Sequence, residues 1–195
     1  YLLTGILLAV SIALALLGLR GMGQVVAGLD SVYKDRVVPL RDIKLISDTY
    51  LALPGRLIDQ VESRERSGEQ AAQTLNRQLG LARQHWQAYL ATYLVADEQR
   101  EIAKLKPLLA EADRQLDGLI VVLNQQNPAT LNDYPQQELE RTRHALQGPL
   151  DRLVEVQLEV AKAEYEHSQA LYHASQRNSV ILLALSLLLG VGFAG

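Results

Sequence analysis

The sequence predicts an all-α protein: an antiparallel up-down-up-down four-helix bundle whose first and last helices are continuous with transmembrane helices. Both ends of the 195-residue chain are uncharged apolar runs, Leu2 to Leu19 and Val180 to Gly195. Between them, apolar residues recur every three or four positions along four segments, as on the buried face of a helix. Loops of under about ten residues join the segments, so neighbouring helices must lie antiparallel to bury their apolar faces.

The first apolar run is long enough to cross a membrane. About 20 uncharged residues at 1.5 Å per residue span a hydrocarbon layer of roughly 30 Å. This predicts a transmembrane helix over residues 1–19. After Arg20 the apolar residues thin into a stripe from Val25 to Val61 that includes Val37, so the helix emerges from the membrane and becomes amphipathic.

Two prolines lie inside this first helix. The apolar stripe resumes in register after both Pro39 and Pro54, so we expect bends at these positions and not helix ends. Ser67 and Gly68 are then expected to end the helix.

Three further helices follow. They are predicted over residues 69–93, from 97 to about 126, and from about 134 onward. Asp97 is expected to cap the third helix, with Glu98 favourably placed in its first turn. The stripe of the third helix is Ile102, Leu105, Leu109, Ala112, Leu116, Leu119 and Leu123.

The fourth helix continues without a stop signal into the second apolar run. A second, truncated transmembrane helix is therefore expected over residues 179–195, with the bundle between the spans over residues 20–178. Because both ends lie inside apolar runs, we expect the chain to be an excerpt of a longer membrane protein.

Composition excludes several classes of function. The net charge of -3 gives no attraction to nucleic acid or anionic lipid. The lack of cysteine excludes disulfides and thiolate metal sites, and fits either the periplasm or the cytoplasm. The sequence has no glycine-rich phosphate loop, nucleophile elbow or paired-carboxylate site, so we expect no enzyme activity and no cofactor.

One pair of residues has the spacing of a metal site. Glu164 and His167 form a Glu-x-x-His pair, as in di-iron bundles. Such sites need a second pair and two more inward glutamates, and the sequence has no second pair. We therefore expect no metal, with Glu164 solvated and His167 packed at the bundle seam.

Arginines gather at one end of the predicted bundle. Arg56 and Arg64 lie towards the end of the first helix and Arg141 near the start of the fourth, at similar depth in an up-down bundle. A guanidinium group matches a carboxylate with two parallel hydrogen bonds. We expect a small carboxylate ligand here, an organic, amino or aromatic acid, with hydroxyl contacts from Tyr50 and Thr142. The alternative is that these arginines only solvate the bundle.

The first helix carries more apolar residues than one stripe holds. Val26, Val38, Leu45, Ile46 and Leu53 lie off the main seam, and one bundle cannot cover them all. We therefore expect a parallel homodimer packed along this helix. The predicted interface residues are Val26, Tyr33, Val38, Leu45 and Leu53.

The pattern Tyr33-x-Asp35-Arg36-Val37-Val38-Pro39-Leu40, followed by Tyr50, is the most specific motif of the chain. With it, the segment from Leu29 to Tyr50 resembles the first helix of the four-helix-bundle ligand-binding domain of bacterial methyl-accepting chemotaxis receptors. The segments HWQAYL and PLDRLVEVQLEVAKAEY add weaker support. With the two apolar spans, the resemblance covers essentially the whole chain.

The resemblance implies a receptor in the bacterial inner membrane with its bundle in the periplasm. It implies a dimer through the first helix, a small ligand near the distal end of the interface between helices one and four, and a signal passed across the membrane. Leu51 and Gly55 stand near where the enteric aspartate and serine receptors carry charge, which argues against aspartate. The same bundle occurs in sensor histidine kinases and cyclic-dinucleotide enzymes. A ligand-free structural membrane bundle is the alternative from another class.

Overall fold

The computed structural model describes the backbone of residues 2–192. It describes their side chains except those of residues 2–4, 6–10, 24–25, 29, 31–32, 35, 128, 182, 186–187 and 189–192. The described residues contain helices and no strand, so the predicted all-α class is confirmed. The helices are α1 (Leu2–Val32), α2 (Val38–Ser47), α3 (Leu53–Glu62), α4 (Gly68–Leu90), α5 (Ala96–Asn124), α6 (Pro128–Asn132) and α7 (Gln136–Gly192).

The chain divides into two compact units. The first comprises, in its described part, residues 2–34 and 160–192, and the second comprises residues 35–159. In the first unit, small residues let two helix backbones approach closely. A Cβ atom on Gly21 would lie 3.6 Å from Ser175 Oγ, and one on Gly28 would lie 3.4 Å from Ser168 Oγ.

The second unit holds the apolar core. Four sequence segments contribute fully buried side chains, among them Ile43, Leu75, Leu116 and Leu150. Each such side chain stabilises the fold by about 1.5–3 kcal/mol relative to its exposed state. The core therefore joins all four predicted helices into the predicted bundle.

One helix of the described residues is long and apolar enough to cross a membrane. Its apolar window is Ser11–Gly28, 18 residues with a mean hydropathy of 1.4, and none of it is buried. The span predicted over residues 1–19 overlaps this window, and because most side chains of residues 1–10 lie outside the described ones, its bounds stay a prediction. The span predicted over residues 179–195 lies partly outside the described residues and stays a prediction.

Two π-turns join α1, α2 and α3 into one continuous helix, which we call helix one. They cover Tyr33–Val37 and Asp48–Ala52, each just ahead of a proline. Proline lacks an N–H group, so the carbonyl four residues earlier has no partner in an α-helix. A π-turn lengthens the pairing by one residue, and the Leu53 N–H accordingly donates to the Asp48 carbonyl. Helix one therefore passes both prolines without ending, as the sequence predicts.

Helix one ends earlier than predicted, at Glu62. Ser67 does not stop it but caps α4, because its hydroxyl accepts the Gln70 N–H at 3.2 Å. The Gln70 side chain accepts the Ser67 N–H in return at 3.4 Å. This is a capping box, which fixes the start of the second helix of the bundle.

The start of α5 also differs from the prediction. Asp97 lies inside the helix, and Val95 is the N-cap residue. The Glu98 carboxylate accepts the Val95 N–H at 2.9 Å. Glu98 therefore performs the capping role that the sequence assigned to Asp97.

Candidate functional site

The predicted ligand-binding residues lie at separate places in the second unit. Arg56, Arg64 and Arg141 line three different clefts, of about 430, 490 and 510 Å³ respectively. Tyr50 and Thr142 are buried in the bundle. The structure therefore does not bring the five residues together into one site.

Tyr50 joins three helices in the bundle interior. Its hydroxyl donates to Asp113 Oδ1 at 2.6 Å, and Arg83 Nε donates to the same oxygen at 3.1 Å. Arg83 also reaches Asp117 at 3.0 Å. Burial, and then the hydrogen bond to Asp113, raise the pKa of Tyr50 above its usual value. The Tyr50 hydroxyl is thus already used in joining helix one to α5.

Thr142 and Arg141 are neighbours in α7, but Thr142 is buried and Arg141 is exposed. The Thr142 hydroxyl donates to the Glu138 carbonyl at 3.1 Å, a bond within its own helix. Arg141 is exposed and lines the cleft at the start of α7. Tyr134 also lines that cleft, and burial raises the pKa of Tyr134 to about 12. Of this pair, only Arg141 has a side chain directed to solvent.

Arg56 lines a cleft that we call the helix-one cleft. It lies between helix one and α4 and has a volume of about 430 Å³. Its wall combines cations, hydroxyls and an amide with two leucines. The lining residues are Arg41, Lys44, Leu45, Asp48, Thr49, Leu53, Arg56, Thr74 and Gln78.

Two of the three cations that line the helix-one cleft have an ion-pair partner among the described residues, and the third does not. Arg41 pairs at 3.2 Å with Asp42, and Lys44 pairs with Asp48. Arg56 makes no hydrogen bond or ion pair with the described part of the chain, and its side chain is exposed. Arg56 is therefore the cation of this cleft that is available to an anionic ligand.

Arg143 is a candidate that the sequence prediction left out of the site. Its guanidinium lies against helix one at Gly55, where an added Cβ atom would be 3.3 Å from Nη1. Arg143 pairs with Glu140, while its buried Nε has no hydrogen-bond partner among the described residues. A glycine on the inward-facing side of helix one was the signal in the sequence, because it leaves room for a long side chain from a neighbouring helix.

A buried polar network, which we call the Glu98 network, joins helix one, α4, α5 and α7. Glu98 is fully buried, and its carboxylate accepts hydrogen bonds from the Tyr89 hydroxyl at 2.6 Å and from Gln157 Nε2 at 2.5 Å. Arg36 Nη1 donates to Gln157 Oε1 at 3.5 Å. Burial, and then the bond to Glu98, raise the pKa of Tyr89 above its usual value. The sequence indicated Glu98 as a first-turn charge and gave no sign of its burial.

The predicted dimer residues have different environments. Val26 is 66% exposed and Tyr33 60% exposed, whereas Leu53 is 6% exposed. Ile46 is fully buried, and Leu45 packs against the core. The argument that one bundle cannot cover these residues is therefore wrong for Ile46 and Leu53. Val26, one of the residues of that argument, is exposed, as is the predicted interface residue Tyr33, and the homodimer itself stays a prediction.

The histidines do not form a metal site in the part of the chain that the structure describes. No three histidine, aspartate or glutamate side chains there are grouped to hold an ion. His85 Nδ1 lies 2.8 Å from Asp42 Oδ1, which joins α4 to α2. His167 is exposed and Glu164 half-buried, the reverse of the environments expected from the sequence.

Comparisons with known proteins agree with this architecture. Residues 1–172 match a family model described as a four helix bundle sensory module for signal transduction. The chain is also similar to the methyl-accepting chemotaxis protein NahY of Pseudomonas putida, with 32% identity over 190 residues. That match covers 94% of the chain and 34% of NahY, so the chain spans about a third of this relative's length. No solved structure matches the chain.

Proposed function

Because the chain belongs to the four-helix-bundle sensory modules for signal transduction, we propose that it is the sensor region of a transmembrane chemoreceptor that binds a small carboxylate. The resemblance inferred from the sequence is confirmed at the level of the family. The chemotaxis relative supports a chemotactic output, and the apolar window at Ser11–Gly28 supports attachment to a membrane. In this proposal the bundle lies in the periplasm, and the chain binds and signals without catalysis or cofactor.

The charge of the helix-one cleft supports the choice of ligand. Three cations line the cleft against one carboxylate, Asp48, and Arg56 lacks a partner among the described side chains. An anion bound there gains a charge-assisted hydrogen bond without breaking an ion pair of the chain. Thr49 and Gln78 add neutral polar groups, and Leu53 offers an apolar wall. An organic, amino or aromatic acid has the matching combination of carboxylate and apolar body.

Replacing Arg56 by alanine is expected to weaken carboxylate binding ten- to a hundred-fold. The variant loses a charge-assisted contact of about 1.5–3 kcal/mol. The measurement is isothermal titration of the chain in lipid nanodiscs with succinate and with benzoate, which represent the organic and aromatic acids.

Arg77→Ala is the matched control for this experiment. Arg77 is an exposed arginine of α4 that does not line the helix-one cleft, and its loss changes the net charge equally. Its affinity should equal that of the unchanged chain. If Arg56→Ala binds the carboxylates as tightly as the unchanged chain, the helix-one cleft is not their site. If Arg141→Ala is the one variant with reduced affinity, the site lies at the start of α7.

The proposal includes a parallel homodimer along helix one. Val26 and Tyr33 are large, exposed and apolar or aromatic, and a two-fold axis would place each opposite its own copy. The chain has no cysteine, so single cysteines introduce the only thiols.

Val26→Cys and Tyr33→Cys are expected to cross-link into disulfide dimers in membranes. Val121→Cys is the control, because Val121 is 58% exposed and belongs to α5, outside helix one. Dimer yield on a non-reducing gel is the measurement. Equal yields from all three variants would indicate random collisions and no dimer along helix one.

Helix α7 is the proposed route of the signal. It runs from Gln136 to Gly192, and no glycine or proline occurs between Leu150 and Leu189. A helix without such breaks transmits a displacement along its axis because its backbone hydrogen bonds are continuous. Binding in the bundle would thereby reach the region beyond the second apolar run.

A further inference from the structure

The amide of Gln157 lies between a buried anion and a buried cation in the second unit. Gln157 is itself buried and belongs to α7. Its Nε2 donates to the Glu98 carboxylate at 2.5 Å, and its Oε1 accepts a hydrogen bond from Arg36 Nη1 at 3.5 Å. Glu98 belongs to α5 and Arg36 to helix one. One side chain of α7 therefore bonds to two other helices of the bundle.

The two bonds of this amide differ in strength. Glu98 also accepts hydrogen bonds from the Tyr89 hydroxyl at 2.6 Å and from the Val95 N–H at 2.9 Å, so its carboxylate is fixed in position. The contact from Arg36 is longer than the 2.7–3.2 Å that is typical of an N–H···O bond. Gln157 therefore holds α7 firmly to α5 and loosely to helix one.

Glutamine suits this position because its amide has both a donor and an acceptor and carries no charge. A carboxylate at position 157 would be repelled by Glu98 and attracted to Arg36. An ammonium group there would be attracted to Glu98 and repelled by Arg36. A charge at position 157 should therefore draw α7 towards one of the two helices and away from the other.

The helices that carry Arg36 and Gln157 also approach each other in the first unit. A Cβ atom on Gly28, which precedes Arg36 in helix one, would lie 3.4 Å from the Oγ atom of Ser168, which follows Gln157 in α7. No glycine or proline occurs between Gln157 and Ser168, so α7 is an unbroken helix over this distance. A pair of cysteines at positions 28 and 168 can therefore report how close α7 lies to helix one.

We propose that Gln157 is a positioning residue whose amide sets whether α7 lies closer to α5 or to helix one. Because α7 is the proposed route of the signal, this position would be the resting state from which the receptor signals. That last step rests on the proposed function, whereas the positioning role rests on the contacts of Gln157 alone. A ligand changes the position only if it binds one arrangement of α7 more tightly than the other.

Gln157→Glu and Gln157→Lys are expected to change one disulfide rate in opposite directions. Gly28→Cys and Ser168→Cys supply the only thiols of the chain, which is oxidised in lipid nanodiscs and followed by the loss of maleimide-reactive thiol in the monomer band. Relative to the chain with Gln157, the disulfide should form faster with glutamate and more slowly with lysine. The two rates should differ about ten-fold, because each charge strengthens one contact and weakens the other.

A role of Gln157 in stability alone would change both rates in the same direction. A change in the same direction, or no change, overturns the proposal. If circular dichroism shows that Gln157→Glu does not fold, Gln157→Met becomes the reference, since methionine is of similar size and carries no charge. The rate in Gln157→Lys must then lie below that in Gln157→Met, and an equal or higher rate overturns the proposal.

Gln147→Glu and Gln147→Lys are the matched controls. Gln147 is an exposed glutamine of the same helix, and its side chain makes no hydrogen bond within the described residues. Both controls should form the disulfide at the rate of the unchanged residue. Shifts as large as those at position 157 would mean that any charge on α7 has this effect, which overturns the assignment to Gln157.

The oxidation assay separates this inference from the proposed function. It contains no succinate or benzoate, so failure of the carboxylate site leaves its result unchanged. If the proposed function also holds, Gln157→Glu and Gln157→Lys should change the affinity for these ligands in opposite directions, because ligand binding and helix position are linked. Opposite rates with equal affinities would support the positioning role and overturn its connection to the signal.

Discussion

Glu98→Ala is expected to lower the free energy of unfolding by about 3–5 kcal/mol, because it breaks a buried charged network. Glu98 is fully buried and accepts hydrogen bonds from the Tyr89 hydroxyl, Gln157 Nε2 and the Val95 N–H. Alanine would leave these three donors without their acceptor. Thermal unfolding followed by circular dichroism in lipid nanodiscs measures the loss, at about 2–4 °C per kcal/mol.

Glu111→Ala is the matched control on the same helix. Glu111 pairs with Arg114 at the surface, where the two side chains are 43% and 76% exposed. Such exposed pairs contribute about 0–1 kcal/mol. Glu98→Gln, which keeps the shape and one acceptor oxygen, should lie between the two alanine variants. If Glu98→Ala and Glu111→Ala unfold at the same temperature, the Glu98 network does not hold the four helices together.

Gly68→Ala is the second substitution with a large expected effect, a destabilisation of about 1–3 kcal/mol from overpacking. A Cβ atom on Gly68 would lie 2.3 Å from the Leu123 carbonyl oxygen. That oxygen belongs to the backbone at the end of α5, so it cannot move away as a side chain would. The start of α4 and the end of α5 would have to separate, and the cleft that Gly68 and Leu123 both line would change shape.

Gly80→Ala, in the same helix, is expected to act in the opposite direction. A Cβ atom on Gly80 meets nothing within 4 Å, and the residue lies in the interior of α4. Alanine there stabilises a helix by about 0.5–1 kcal/mol relative to glycine. Melting temperatures that fall in Gly68→Ala and rise in Gly80→Ala are the expected result. A rise in both would mean that the close approach at Leu123 is absent in solution.

Patterns that are local in the sequence determined the helices and much of the core. The seven stripe residues predicted for the third helix are all buried in α5. Apolar spacing decides this outcome because a helix without a break keeps 3.6 residues per turn along its whole length. The same reasoning identified the four-helix bundle and its family, since both depend on the order and length of amphipathic segments.

The two π-turns explain why the sequence assigned some residues of helix one to the wrong face. Each takes up more than four residues in a turn, so the residues after it are rotated around the axis relative to an ideal α-helix. Val37, predicted in the buried stripe, is 47% exposed, whereas Ile46 and Leu53, predicted off it, are buried. Only the folded backbone fixes this rotation.

The candidate site depended most on tertiary structure. The sequence by itself determined that arginines gather towards one end of an all-α bundle with apolar ends. It did not determine that Arg56 and Arg64 line different clefts, because helix one ends at Glu62 and the chain turns at Arg64. Nor did it show that Arg143 lies against Gly55, or that Glu98 joins four helices. These contacts join residues far apart in the chain, and their distances follow from how the helices pack and not from periodicity along any one of them.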